Sequence, residues 1–86
     1  MRRISFTPTA FNEYNEWIKN NPAVAGKIIE LIRDISRSPF SGIGKPESLK
    51  GNYKGFWSRR ITREHRLIYK VEADSILVVK CRGHYE

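Results

Sequence analysis

Apolar residues change their spacing along this chain, and the changes divide it into parts. Ile4 and Phe6 flank polar Ser5, an alternation that predicts a short first strand ended by Thr7-Pro8. Thr7 offers a capping hydroxyl, and Pro8 has the preset φ of a first helical turn. Phe11, Tyr14, Trp17 and Ile18 then recur at helical spacing until Asn20-Asn21-Pro22, where one helix stops and another starts. On the second, Val24, Ile28, Leu31, Ile32 and Ile35 make a continuous stripe that stops near Ser38-Pro39. The expected unit is a helical hairpin with one apolar side.

From Pro39 to Gly55 four glycines and two prolines predict loop, with one brief extended piece around Ser48 to Lys50. After it the period becomes two. Phe56 to Ile61, Arg66 to Glu72 and Ile76 to Arg82 are rich in β-branched and aromatic residues, separated by polar turns at Thr62 to His65 and Ala73 to Ser75. An antiparallel meander is the simplest arrangement. Alternation places Leu67, Tyr69 and Val71 toward the helices with Leu77, Val79 and Cys81, leaving Arg66, Ile68 and Lys70 on the other side. The fold class expected is α+β: a small antiparallel sheet with an N-terminal helical hairpin on one face. At 86 residues the chain suits one domain, residues 1–86, with a modest core.

Charge sharpens this picture. Sixteen Lys and Arg against nine Asp and Glu give +7, unevenly spread: residues 1–44 carry six basic and four acidic side chains, residues 45–86 ten and five. The second half is the better seat for an anionic partner, nucleic acid foremost, although many basic surfaces only confer solubility. The lone Cys81 has no partner for an internal disulfide. There is neither a signal-peptide pattern nor a run of about 18 apolar residues to span a bilayer. A soluble, cytoplasmic protein without membrane attachment is expected.

Two motifs fail on inspection. Gly42-Ile43-Gly44-Lys45 would need Gly at 39 and Ser or Thr at 46 to be a phosphate-binding loop, and both positions are proline. Cys81 and His84 have the C-x-x-H spacing of half a zinc site, but His65 is the only other histidine and no second ligand pair exists. Neither a metal nor a cofactor is implied. A third constellation carries more chemistry: Glu47 and Lys50 in the loop, Arg60 and Arg66 on adjoining strands, and His84-Tyr85. Cleaving RNA through its own 2'-hydroxyl needs a base for that proton, cations for the phosphate and an acid for the leaving oxygen. With a three-residue turn, Arg60 lies opposite Arg66 and both point to one side of the sheet. Each residue also has a plain explanation: Glu47 and Lys50 as solvated loop charges, Arg60 and Arg66 as ion-pair partners of Glu64 or Glu72, and His84-Tyr85 as an idle terminus. Pattern by itself reaches a basic, RNA-facing sheet and no further.

The segments Ser38-Pro39-Phe40, Gly44-Lys45-Pro46-Glu47, Gly55-Phe56-Trp57-Ser58-Arg59-Arg60-Ile61-Thr62 and Glu64-His65-Arg66-Leu67-Ile68-Tyr69, with His84-Tyr85, resemble the YoeB toxins of the RelE/ParE superfamily. The resemblance extends in register over nearly the whole chain. It implies a RelE-like fold and a metal-independent endoribonuclease that cuts messenger RNA in the A site of the 70S ribosome and is silenced by an acidic antitoxin of the YefM type. Glu47 would be the general base, His84 the general acid and Arg66 the stabiliser of phosphorane charge. Lys50, Arg60 and Tyr85 would orient or stack the RNA. Lys19, Lys27, Arg33 and Arg37 are candidates for ribosomal RNA, and a homodimer stays open. So do a non-catalytic antitoxin-binding module and a ParE-like gyrase inhibitor of the same fold. Gly83, where relatives usually carry bulkier residues, is expected to loosen the segment bearing His84. Glu86 adds a negative charge beside the site.

Overall fold

The computed structural model describes residues 2–84. β1 (Arg3–Phe6), α1 (Pro8–Asn20) and α2 (Pro22–Arg37) come first; β2 (Glu47–Ser48), a 3-10 turn (Gly51–Tyr53), β3 (Phe56–Arg60), β4 (Arg66–Val71) and β5 (Ser75–Lys80) follow. Thr7 caps α1 as its sequence position predicts, its hydroxyl accepting from the Ala10 N–H at 3.2 Å. Asn21 closes α1 by donating its N–H to the Trp17 carbonyl and leads directly into Pro22 of α2. The extended piece expected at Ser48 to Lys50 is a paired strand only at Glu47–Ser48, and Lys50, extended but unpaired in the sheet, caps the 3-10 turn.

All five stripe residues of α2 are buried. α1 contributes Ala10 completely and Tyr14 and Trp17 in part. Phe11 and Ile18, expected on the same stripe, are 56% and 47% exposed. Ala10, Tyr14 and Trp17 lie at i, i+4 and i+7 toward the sheet; Phe11 and Ile18 each stand one position further, about 100° around the helix.

The strand order is β1-β5-β4-β3-β2. β3 through β5 form the expected antiparallel meander, β2 extends it antiparallel to β3, and β1 adds to the other edge parallel to β5, so the sheet is mixed. The helical hairpin between β1 and the rest provides the long connection that a parallel neighbour requires. Leu67 and Tyr69 face the helices as expected, but on β5 the buried pair is Ile76 and Val78, not Leu77 and Val79. Tyr69 pairs with Val78 and Ile68 with Lys80, leaving Val79 as the extra residue of a bulge. Without that insertion the alternation from Ile76 and Val78 would carry Cys81 outward; with it Cys81 returns to the core, fully buried. Arg66, Ile68 and Lys70 occupy the opposite face, where Ile68 is nonetheless covered, as is Leu49. Among the described residues no helix is long and apolar enough to cross a membrane.

Candidate active site

A buried arginine builds the wall of the site. β3 and the residue after it alternate Trp57, Arg59 and Ile61 toward the helices, so Arg59 stands at a core position with no exposed surface. Burial of a guanidinium is tolerable only if its donors are matched. Arg59 pairs with Asp34 of α2 and donates to the carbonyls of Ser38 (2.6 Å), Ser41 (2.9 Å) and Ile43 (3.1 Å) and to the Tyr69 hydroxyl (3.2 Å). The Tyr69 hydroxyl donates in turn to the Pro39 carbonyl at 2.7 Å. The hydrogen bond from Arg59 holds the Asp34 carboxyl below the usual carboxylate range, against the opposing effect of partial burial. For Tyr69 burial prevails and raises the phenol.

This network spans residues 38–43 and explains the glycine at position 42. A Cβ on Gly42, whose φ is 127°, would lie 2.0 Å from Asp34 Oδ2. Two residues later the Gly44 carbonyl accepts from the Arg60 N–H at 2.7 Å, and the chain passes to the other face of the sheet as Lys45-Pro46-Glu47. Lys45 has a φ of 52°, a left-handed conformation that costs a non-glycine residue roughly 1–2 kcal/mol.

On that face Lys45, Pro46, Glu47, Ser58, Arg60, Arg66 and His84 line one open cleft of about 330 Å³. Its geometry follows from register: Glu47 is paired with Ser58, and Arg60 with Arg66, so these side chains share a side of the pleat. Neither Arg60 nor Arg66 has a carboxylate at ion-pair distance among the described residues, so the expected bland partners Glu64 and Glu72 do not neutralise them. Arg66 is oriented by the turn before it, donating from Nη1 to the carbonyls of Thr62 (3.0 Å), Arg63 and His65 (both 3.2 Å).

His84 reaches the cleft on the segment that follows β5. Cys81 N–H donates to Glu13 Oε1 at 2.8 Å, the Cys81 carbonyl accepts from Trp17 Nε1 at 2.9 Å, and Arg82 pairs with Glu16. Gly83, expected to loosen this segment, instead fits it: its φ is 76°, which favours glycine, its N–H donates to His65 Nδ1 at 2.8 Å and its carbonyl accepts from the Arg66 N–H at 2.9 Å. The Cys81 thiol faces the Ala10 carbonyl inside the core, and burial pushes it up to about 12.

Of the six candidate residues, Glu47, Arg60, Arg66 and His84 come together. Lys50 is exposed at the start of the 3-10 turn, outside the walls of the cleft. Tyr85 lies outside the described residues, as does Glu86. No sequence pattern points to Lys45 or to the Arg59–Asp34 pair as a unit. Arg59 had left a usable signal, a charge in the apolar phase of β3.

A family model for the YoeB-like toxin of bacterial type II toxin-antitoxin systems matches residues 6–85. Toxin YoeB of Escherichia coli K12 is 48% identical over 83 residues, 96% of this chain and 99% of that one. Among solved structures, the YoeB/ParE toxin from Agrobacterium tumefaciens superposes with a TM-score of 0.94 at 42% identity, covering 96% of this chain and 99% of that one. The toxin in a YoeB-YefM complex from Staphylococcus aureus gives 0.90 at 44% identity, with 99% of each chain covered. With near-complete coverage in both sequence and fold, the chain belongs to the YoeB toxin family.

Proposed function

We propose that this toxin is a ribosome-dependent messenger endoribonuclease working by general acid-base catalysis. The observation that carries the reading is the cleft itself, where one carboxylate, one imidazole and two guanidiniums without an ion-pair partner among the described residues stand on the same face of the sheet. Glu47 takes the proton of a 2'-hydroxyl, whose oxygen attacks the adjacent phosphorus. Arg66, with Arg60, stabilises the charge that builds on the phosphorane oxygens. The bond from phosphorus to the 5'-oxygen breaks as His84 gives that oxygen a proton, leaving a 2',3'-cyclic phosphate and a 5'-hydroxyl. Lys50 and Tyr85 guide or stack the RNA around the cut. No metal takes part in this scheme.

The ribosome supplies the ordered message, and the exposed Lys19, Arg33 and Arg37 with the half-buried Lys27 are the cations proposed to meet its RNA. An acidic antitoxin of the YefM type, as in the staphylococcal complex, would silence the enzyme by covering the cleft with carboxylates in place of phosphates.

The test is primer extension on a message translated in vitro with purified protein. Glu47→Ala, Arg66→Ala and His84→Ala should each slow single-turnover cleavage by about a hundredfold to ten-thousandfold while melting like the parent. A single 2'-deoxy nucleotide 5' to the cut should block scission. Undiminished cutting of that message would sink the mechanism, and a folded protein that leaves all translated messages intact would make the chain a binding module only.

A further inference from the structure

The turn between β3 and β4 holds a histidine with no part in the scheme above, yet it touches both halves of it. His65 sits half-buried, its backbone N–H donating to Thr62 Oγ1 at 3.1 Å. Its carbonyl is one of the three that receive the Arg66 guanidinium. Its imidazole meets the Trp17 ring edge-on, with centroids 4.8 Å apart and planes at 77°, and its Nδ1 accepts the N–H of Gly83. That bond needs a lone pair on Nδ1, so the ring proton resides on Nε2. Trp17 in turn holds the Cys81 carbonyl, and Arg66 N–H holds the Gly83 carbonyl. Residue 83 is thereby gripped at both its polar backbone atoms, one residue before His84, in a conformation suited to glycine.

We infer that His65 is a positioning residue: by fixing the Gly83 amide against the Trp17 platform it sets the place of His84 in the cleft, while its carbonyl helps to set Arg66. The inference rests on the assignment of His84 as the acid. A proton donor on an exposed segment is productive only if the segment is held, since displacement by about 1 Å from a reacting atom can cost on the order of a hundredfold in rate. Packing of the turn would explain a ring beside Trp17. It does not by itself require an acceptor aimed at the one amide that precedes His84.

Asn and Leu have nearly the same shape, and the Asn side-chain oxygen branches from Cγ as Nδ1 does. Comparing His65→Asn with His65→Leu therefore isolates the acceptor from the ring. His65→Leu should lower single-turnover cleavage roughly ten- to a hundredfold with RNA affinity unchanged, and should speed hydrogen exchange at the Gly83 amide. His65→Asn should recover most of both losses. In a His84→Ala background His65→Leu should add nothing. Gly83→Ala strains the same joint without touching the imidazole and gives an independent route if a His65 variant fails to fold; its loss of rate should likewise vanish once His84 is gone. Equal fold-losses in the two backgrounds, or a Gly83 amide as protected in His65→Leu as in the parent, would overturn the inference. Wild-type cutting by His84→Ala would instead refute the acid assignment, and Gly83 exchange would still decide whether His65 holds the segment.

Discussion

At the scale of single residues the most consequential side chain is Arg59, which does not reach the cleft. Its guanidinium replaces water for three loop carbonyls and is neutralised by Asp34, whose side chain keeps 20% exposure. Removing one partner of a buried pair strands the other, so Asp34→Asn should cost about 3 kcal/mol, the lower end of the usual 3–5 because Asp34 is partly solvated. Cleavage should fall with it, since the loop that delivers Lys45 and Glu47 hangs on the same network. The pair also has a pH signature. Asp34 titrates lower in the folded state than its ordinary value of 3.8, so its stabilising effect is complete above about pH 4 and is lost as the pH falls through the depressed folded value. Urea midpoints measured downward from pH 5 should drop more steeply for the parent than for Asp34→Asn. Parallel pH profiles would show that the pair is not the acid-sensitive link.

Among the elements, β5 shows how one inserted residue redirects a strand. The bulge at Val79 turns Ile76, Val78 and Cys81 to the helices and leaves Leu77 and Val79 half-buried on the other side. The carbonyls of Val78 and Val79 are also the two that receive Thr7, at its N–H and its hydroxyl, so the bulge ties β5 to the cap of α1. Truncation distinguishes the two faces: Ile76→Ala should destabilise by about 2–5 kcal/mol, and Val79→Ala by less than about 1.5. Urea denaturation of the two variants checks this, and the reverse order would mean that β5 runs without a bulge.

On the scale of the whole molecule, the sheet separates two kinds of chemistry. One face is closed by the helices; the other collects Arg60, Arg66 and Lys45 around a single carboxylate and an imidazole. The net charge of +7 has its local counterpart there, in cations without ion-pair partners among the described residues. Binding of a short, uncleavable single-stranded RNA should weaken linearly on a log-log plot against salt. Arg60→Ala should make that slope shallower by about 0.7, the contribution of one phosphate contact on a single strand. Arg3→Ala, on β1 at the far edge of the sheet, should leave it nearly unchanged. Fluorescence anisotropy over a salt series measures both, and an unchanged slope for Arg60→Ala would remove that residue from the RNA path.

What was legible in the sequence is local or in register. The Thr7-Pro8 cap, the Asn21-Pro22 break and the α2 stripe follow from periodicity and from residues with few backbone options. The pairing of Arg60 with Arg66 follows from the length of a turn. Resemblance nominated Glu47 and His84, which no spacing connects because they approach from a loop and from the segment that follows the last strand. Tertiary structure decided the rest. Period-two alternation has no means to foresee a bulge, so it points Leu77 and Val79 inward where Ile76 and Val78 are buried. Nor does helical spacing say how far a helix rolls, which left Phe11 and Ile18 exposed. Strand phase marks Arg59 as a charge among inward positions, but its partners, Asp34 and the loop carbonyls, are brought to it only by the tertiary structure. The grip on Gly83 arises only where α1, the β3–β4 turn and the segment after β5 meet, three stretches far apart in sequence whose contacts exist only once the core has brought them together.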